Sequence, residues 1–132
     1  MMRFRLTLAA ICAVAFTMPV LAHHSHGNYF DQTTDITGVV KEIHFLVPHS
    51  FVYVEVTKGN DKEIWALEGT SKQGLEKIGV TQGYLKAGDT VKARCHALRD
   101  GSAGCLLGFL KAANGEIKDW DGGTGPAPAD FK

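Results

Sequence analysis

The 132 residues, 45% hydrophobic and 21% charged, have room for one globular domain and are too apolar for intrinsic disorder. A multidomain enzyme is excluded by length alone. Fourteen Lys plus Arg balance fourteen Asp plus Glu, so the overall charge recommends neither a nucleic-acid backbone nor an anionic membrane as partner.

The chain opens with MMRFR, LTLAAICAVAFTMPV and LA. A basic start, an apolar stretch and a small-residue exit form the pattern of a cleaved secretory signal over residues 1–22. The apolar run is shorter than the roughly 20 residues of a membrane span and is interrupted by Pro19, so no stable membrane anchor is expected. Cys12 follows Ile11, where a lipid-attachment site wants a small residue, and is not read as a lipoprotein cysteine. Cleavage after Ala22 would deliver a chain beginning at His23 to the periplasm. Loss of Arg3 and Arg5 leaves twelve basic against fourteen acidic residues, which disfavours nucleic acid further.

Residues 23–33 read as a flexible, histidine-rich leader to a single β domain over residues 34–120. Ile36 to Val47 places Val39, Ile43, Phe45 and Val47 on one side of a period-two pattern, a long first strand that Pro48 breaks. In the next segment, Ser50 to Lys58, Val52, Val54 and Val56 oppose Phe51, Tyr53 and Glu55. Gly59-Asn60-Asp61 turns the chain into a third strand, Lys62 to Gly69, anchored by Ile64, Trp65 and Leu67. Thr70 or Ser71 caps a short helix to Lys77 or Ile78, which Gly79 stops.

From Thr90, Val91, Ala93, Cys95 and Ala97 alternate with Lys92, Arg94 and His96 in a fourth strand. A fifth runs from Cys105 to about Ala113, and Asn114-Gly115 turns it into a short return, Glu116 to Trp120. Residues 121–132, rich in Gly, Pro and Ala, read as a disordered tail. Three meandering strands, one helix and then further strands is the order of an all-β, five- to six-stranded OB-like Greek-key barrel with its short helix after strand three. A β-sandwich is the rival, but it does not require the helix.

Of three cysteines, Cys95 and Cys105 survive signal removal, and an exported pair favours a disulfide. If Arg99-Asp100-Gly101 is a three-residue loop, residue 98 faces 102 and Cys95 lies opposite Cys105, within bridging distance. Two buried free thiols are the other reading.

All six histidines lie beyond residue 22, and His23, His24 and His26 fall within the first four mature residues. An amino-terminal histidine chelates through its α-amine and ring Nδ1 together, and one more histidine completes a planar nitrogen set suited to copper(II). Equally, a His-rich leader can be a soluble extension without a metal. His49 follows Pro48 at the strand corner, placed either as a further ligand or as an exposed loop histidine. His44 and His96 read as surface or half-buried strand residues. Glu68 ends the third strand, where it could orient a histidine or hold a ligand, although capping the following helix is the simpler role. H-E-x-x-H, P-loop, G-x-S-x-G and C-x-x-C signatures are all missing, so the sequence supports no enzyme class.

HHSHGNYFD, ITGVVKEIHFLVPHSFVYVEV, WALEG and YLKAGDTVKARCHALRDGSAGC together resemble a family of small exported bacterial proteins of unassigned function. That family has a His-His-Ser start, an Asn-Pro-His corner and a Trp-x-x-Glu-Gly strand end. The resemblance implies an OB-like barrel and a periplasmic address, and points to His23, His24, Ser25, His49, Trp65 and Glu68. Val47 stands where the family's corner carries asparagine, and His26 is additional.

The expected function is therefore a periplasmic binding protein that holds copper through His23, His24, His26 and His49 for carriage, buffering or sensing. The alternative is a metal-free recognition barrel that presents Phe51, Trp65 and Glu68 to a peptide, a sugar or an envelope protein.

Overall fold

Alternation sets the barrel. In the computed structural model, which describes residues 25–132, Val52, Val54 and Val56 are buried while Phe51, Tyr53 and Glu55 are half-buried on the other face. A 3-10 turn, Ser25–Asn28, precedes β1 (Thr34–His44), β2 (Ser50–Lys58) and β3 (Asp61–Gly69). Helix α1 (Lys72–Lys77) then leads to β4 (Thr90–Ala97), β5 (Gly104–Lys111) and β6 (Ile117–Asp119). The strand order is β3-β2-β1-β4-β5-β6, and a parallel β3–β5 pairing closes the first five strands on themselves. This is the OB-like barrel, with β6 as an added strand.

β1 serves both halves of the barrel. Its first half pairs with β4 and its second half with β2, with an irregularity between Val40 and Glu42. Gly38 sits at the coil of this strand, where a Cβ would lie 2.7 Å from the Glu55 carbonyl oxygen, so the close crossing needs a residue without a side chain. Val40, Val52, Val54, Leu67, Leu107 and Leu110 fill the interior. Leu75 of α1 packs into the same core, with the Ser71 hydroxyl capping the helix by accepting the Gly74 N–H at 3.1 Å. Gly79, at φ +81°, ends the helix turn.

Several local expectations change. β1 stops at His44, not Val47, because the Leu46 N–H donates to Ser50 Oγ at 3.2 Å and the Leu46 carbonyl accepts the Lys72 N–H at 2.9 Å. Those bonds draw the corner toward the helix and away from the ladder. The Val47–Pro48 peptide there is cis. Ile64 is not an anchor: it faces outward and is 47% exposed, while its neighbour Trp65 faces inward.

The cysteines do form a disulfide, with Cα atoms 5.7 Å apart, but not through the expected register. Leu98 closes the loop against Gly104, not residue 102, and Cys95 pairs with Leu107 while Cys105 pairs with Ala97. The bridge is thus diagonal across two strands, helped by an irregularity between Arg94 and Cys95.

Two segments expected to be flexible are docked. Tyr29, within the leader, is buried and forms a β-bridge with Leu98. Residues 121–132 form neither strand nor helix, yet Phe131 is only 2% exposed. Its ring packs against Phe109 and beneath the Lys92 and Arg94 cations. Arg94 bonds both oxygens of Asp35 at 2.6 and 2.9 Å and reaches Asp130 of the tail at 2.9 Å. The lone aromatic of a Gly- and Pro-rich segment therefore pins it to the barrel.

Hydrogen bonds from Arg94 hold the Asp35 and Asp130 carboxyls below the usual aspartate range. A carboxyl with a lowered folded pKa stabilises the fold above its unfolded pKa, about 3.9, and that contribution is lost as pH falls through the lower folded value. The protection factor of the Phe131 amide, which donates to the Pro128 carbonyl at 2.9 Å, should therefore stay level from pH 7 to about 4 and drop below that. Unchanged protection at still lower pH would contradict the role given to Arg94.

Candidate functional site

Glu68 lies at the end of β3, opposite Phe51 of β2, and directly opposed strand residues share a face. Its side chain therefore projects from the barrel's outer surface beside the corner that carries His49. One carboxylate oxygen, Oε1, is 3.2 Å from His49 Nδ1. The other, Oε2, accepts a short hydrogen bond from the Tyr29 hydroxyl. Glu68 is mostly shielded while the His49 side chain is 43% exposed. A single carboxylate thus joins the corner histidine to the chain's amino-terminal segment.

That segment is held by its backbone. The Phe30 N–H donates to the Ala97 carbonyl and the Arg99 N–H to the Asn28 carbonyl, both at 2.9 Å. Arg99 Nε also donates to the Tyr29 carbonyl at 2.8 Å. Burial, reinforced by the bond to Glu68, raises the Tyr29 hydroxyl well above the usual tyrosine pKa, so it remains a donor across the physiological range. With its Nδ1 edge 3.2 Å from the carboxylate, the His49 ring carries Nε2 on its far side, the nitrogen left to an outside ligand. A histidine oriented by a carboxylate in this way has the arrangement found behind metal-binding imidazoles.

Glu68 is accordingly not the helix cap: Ser71 fills that role, and both Glu68 oxygens are taken by His49 and Tyr29. The expected recognition face around Phe51, Trp65 and Glu68 is also divided. Phe51 and Glu68 share the outer surface, whereas Trp65, three residues before Glu68 on a strand of period two, points inward. Its indole N–H donates to Glu63 Oε2 at 3.1 Å, and Lys58 lies over its ring. Phe51 instead stacks on Tyr53, whose ring meets the edge of His44.

His44 Nε2 pairs with Glu42 at 3.0 Å on the surface. His96 is half-buried and donates Nδ1–H to the Phe30 carbonyl at 2.9 Å. His23 and His24 lie outside the described residues, and the backbone of His26 belongs to the turn three residues before Tyr29. Among the described residues no group of three or more His, Cys, Asp or Glu side chains is arranged to hold a metal ion.

Tyr29 was not among the residues singled out from sequence. The available signal was an aromatic pair, Tyr29-Phe30, inside an otherwise polar leader.

The model for a family of unknown function, DUF6152, matches residues 10–107. That span includes His23, His49, Glu68, Tyr29 and both bridged cysteines, and the chain belongs to this family. A search of curated proteins returns no match to the chain.

Proposed function

We propose that this member of the family is a small exported binding protein that holds a transition metal, preferentially copper(II), between its mature amino terminus and His49. Carriage, buffering or sensing would be its task. The observation that supports this reading most is the double use of Glu68, which orients the His49 ring and fixes Tyr29 beside it. Removal of residues 1–22 would make His23 the first residue, with an α-amine whose ordinary pKa of about 7.7–8.0 lets a strongly bound metal displace its proton near neutrality.

Six residue steps lead from His23 to Tyr29, a span of at most about 22 Å. Anchoring Tyr29 at Glu68 therefore keeps His23 and His24 within tether range of His49. The amine and Nδ1 of His23, a nitrogen from His24 and Nε2 of His49 make a nitrogen-rich set of the kind that copper(II) prefers. Glu68 would strengthen the His49 ligand by accepting its other ring proton.

Copper titration of protein beginning at His23, compared with the same chain carrying one extra residue ahead of it, tests the chelate. Stoichiometric binding that weakens at least about ten-fold on extension is expected, the scale of a lost or misoriented ligand group. Equal affinity of the two proteins would reduce the histidines to a nonspecific tract and defeat the reading.

A further inference from the structure

The seat of the C-terminal tail stands apart from the His49 corner and does not depend on the metal reading. Asp35, Arg94, Phe109 and Asp119 follow one another in ladder register, one each from β1, β4, β5 and β6. Directly opposed residues share a face, so the four form a row across the barrel's outer surface. Phe131 is buried over this row, against the Phe109 ring and beneath Lys92 and Arg94. Arg94 Nη1 donates to both Asp130 oxygens at 2.9 and 3.0 Å, and Lys92 Nζ donates to the Lys132 carbonyl at 3.1 Å.

Only the last three residues grip. Gly122 to Asp130 are exposed apart from the half-buried Ala127. Among the described residues, none from Gly123 to Ala129 hydrogen-bonds to the barrel. This Gly- and Pro-rich stretch therefore supplies proximity and little contact, and Asp130-Phe131-Lys132 is in effect a short peptide seated on a surface that the strands build without it. Lifted off, it would leave a surface short of negative charge. Lys111 stands directly opposite Lys92 and forms no ion pair among the described residues, so Lys92, Arg94 and Lys111 outnumber the carboxylates of the row, Asp35 and Asp119.

The contacts define what fits. The seat reads a carboxylate, the ring that follows it and the next backbone carbonyl, which is recognition of three successive residues of a polypeptide and not of a lone aromatic acid. We propose that the seat is an interaction surface for a partner polypeptide carrying an acidic residue directly before a phenylalanine, and that the chain's own C-terminus fills it until such a segment displaces it. The ring supplies most of the binding through its burial and the two cations over it. The acid fixes the direction of the segment through Arg94.

The test is calorimetric titration of protein beginning at His23, native and with Phe131→Ala, using Ac-Pro-Ala-Asp-Phe-Lys with a free C-terminal carboxylate. Tail docking of about 2 kcal/mol leaves the seat open in roughly 3% of native molecules, so Phe131→Ala should bind the peptide about 30-fold more tightly than the native chain. Alanine for the peptide's phenylalanine should weaken binding at least about ten-fold. Asparagine for its aspartate should weaken it a few-fold, because Asp130 is largely exposed. In the native chain, which needs no substitution to fold, excess peptide should lower the hydrogen-exchange protection of the Phe131 amide. Absence of binding to Phe131→Ala at millimolar peptide, equal affinity of the two proteins, equal binding of the alanine peptide, or unchanged protection of the Phe131 amide overturns the assignment. Native protein that sediments as a dimer at the concentrations used would hand the seat to a second copy's tail and overturn the separate partner.

Discussion

Replacing both Cys95 and Cys105 with alanine should lower the unfolding free energy by about 3 kcal/mol and the melting temperature by roughly 10–20 °C. The two residues are separated by ten positions. In the chain-entropy picture, closing so short a loop contributes about 2–3 kcal/mol by restricting the unfolded chain. Both cysteines are buried in the core, so truncation also removes packing atoms there. The loss has a place as well as a size. The bridge clamps β4 to β5 next to the loop whose Leu98 and Arg99 hold Tyr29, so the amino-terminal segment should loosen with it. Thermal unfolding with and without reductant checks the first part. A melting temperature that moves by less than about 3 °C, a change equivalent to under 1 kcal/mol in a domain of this size, would contradict it.

Phe131→Ala is expected to cost about 2–3 kcal/mol, an unusual sum for the penultimate residue of a chain. Truncating a core phenylalanine generally costs about 3–5 kcal/mol, but a terminal segment can undock instead of leaving a cavity, which sets the ceiling at the docking free energy. Undocking exposes Phe109 and leaves Arg94 with Asp35 alone, because Asp130 departs with the tail. Deleting residues 130–132 should therefore destabilise the protein at least as much as the point substitution. Urea unfolding with an unchanged slope and a lowered midpoint would report this as lost stability and not as altered compactness. A shift below about 0.5 kcal/mol, the range of ordinary surface changes, would show that the phenylalanine does not secure the barrel.

The barrel was legible because each strand advertises its period. Val52, Val54 and Val56 alternate strictly, the Gly59-Asn60-Asp61 turn sets the phase of β3, and a single short helix after the third strand matches one closed topology. Phase was lost where neighbours are both apolar. Ile64 and Trp65 are adjacent and only one can face inward, so composition could not place Trp65, and the recognition face drawn around it does not exist as one surface. The disulfide was legible as a pairing, but its register was not, since the loop closes two residues further on than turn chemistry suggested.

The site was legible in its members and illegible in its connection. His49 and Glu68 stand out by position at a corner and a strand end, yet nothing local says that they meet. Tyr29 reaches Glu68 across 39 residues of sequence, a contact that only barrel closure creates. The tail misled for a related reason: eleven of its twelve residues read as linker, and one buried ring overrides them.

The most direct test of the central claim, that Glu68 brings His49 and the leading histidines into one binding site, is copper(II) electron paramagnetic resonance of protein beginning at His23. Nitrogen hyperfine structure in the native chain is compared with that of His49→Ala and Glu68→Gln. The account predicts one fewer equatorial nitrogen in His49→Ala and a weaker, altered signal in Glu68→Gln at equal copper. Spectra from all three proteins that superimpose would place the copper on the amino terminus alone and would contradict the claim.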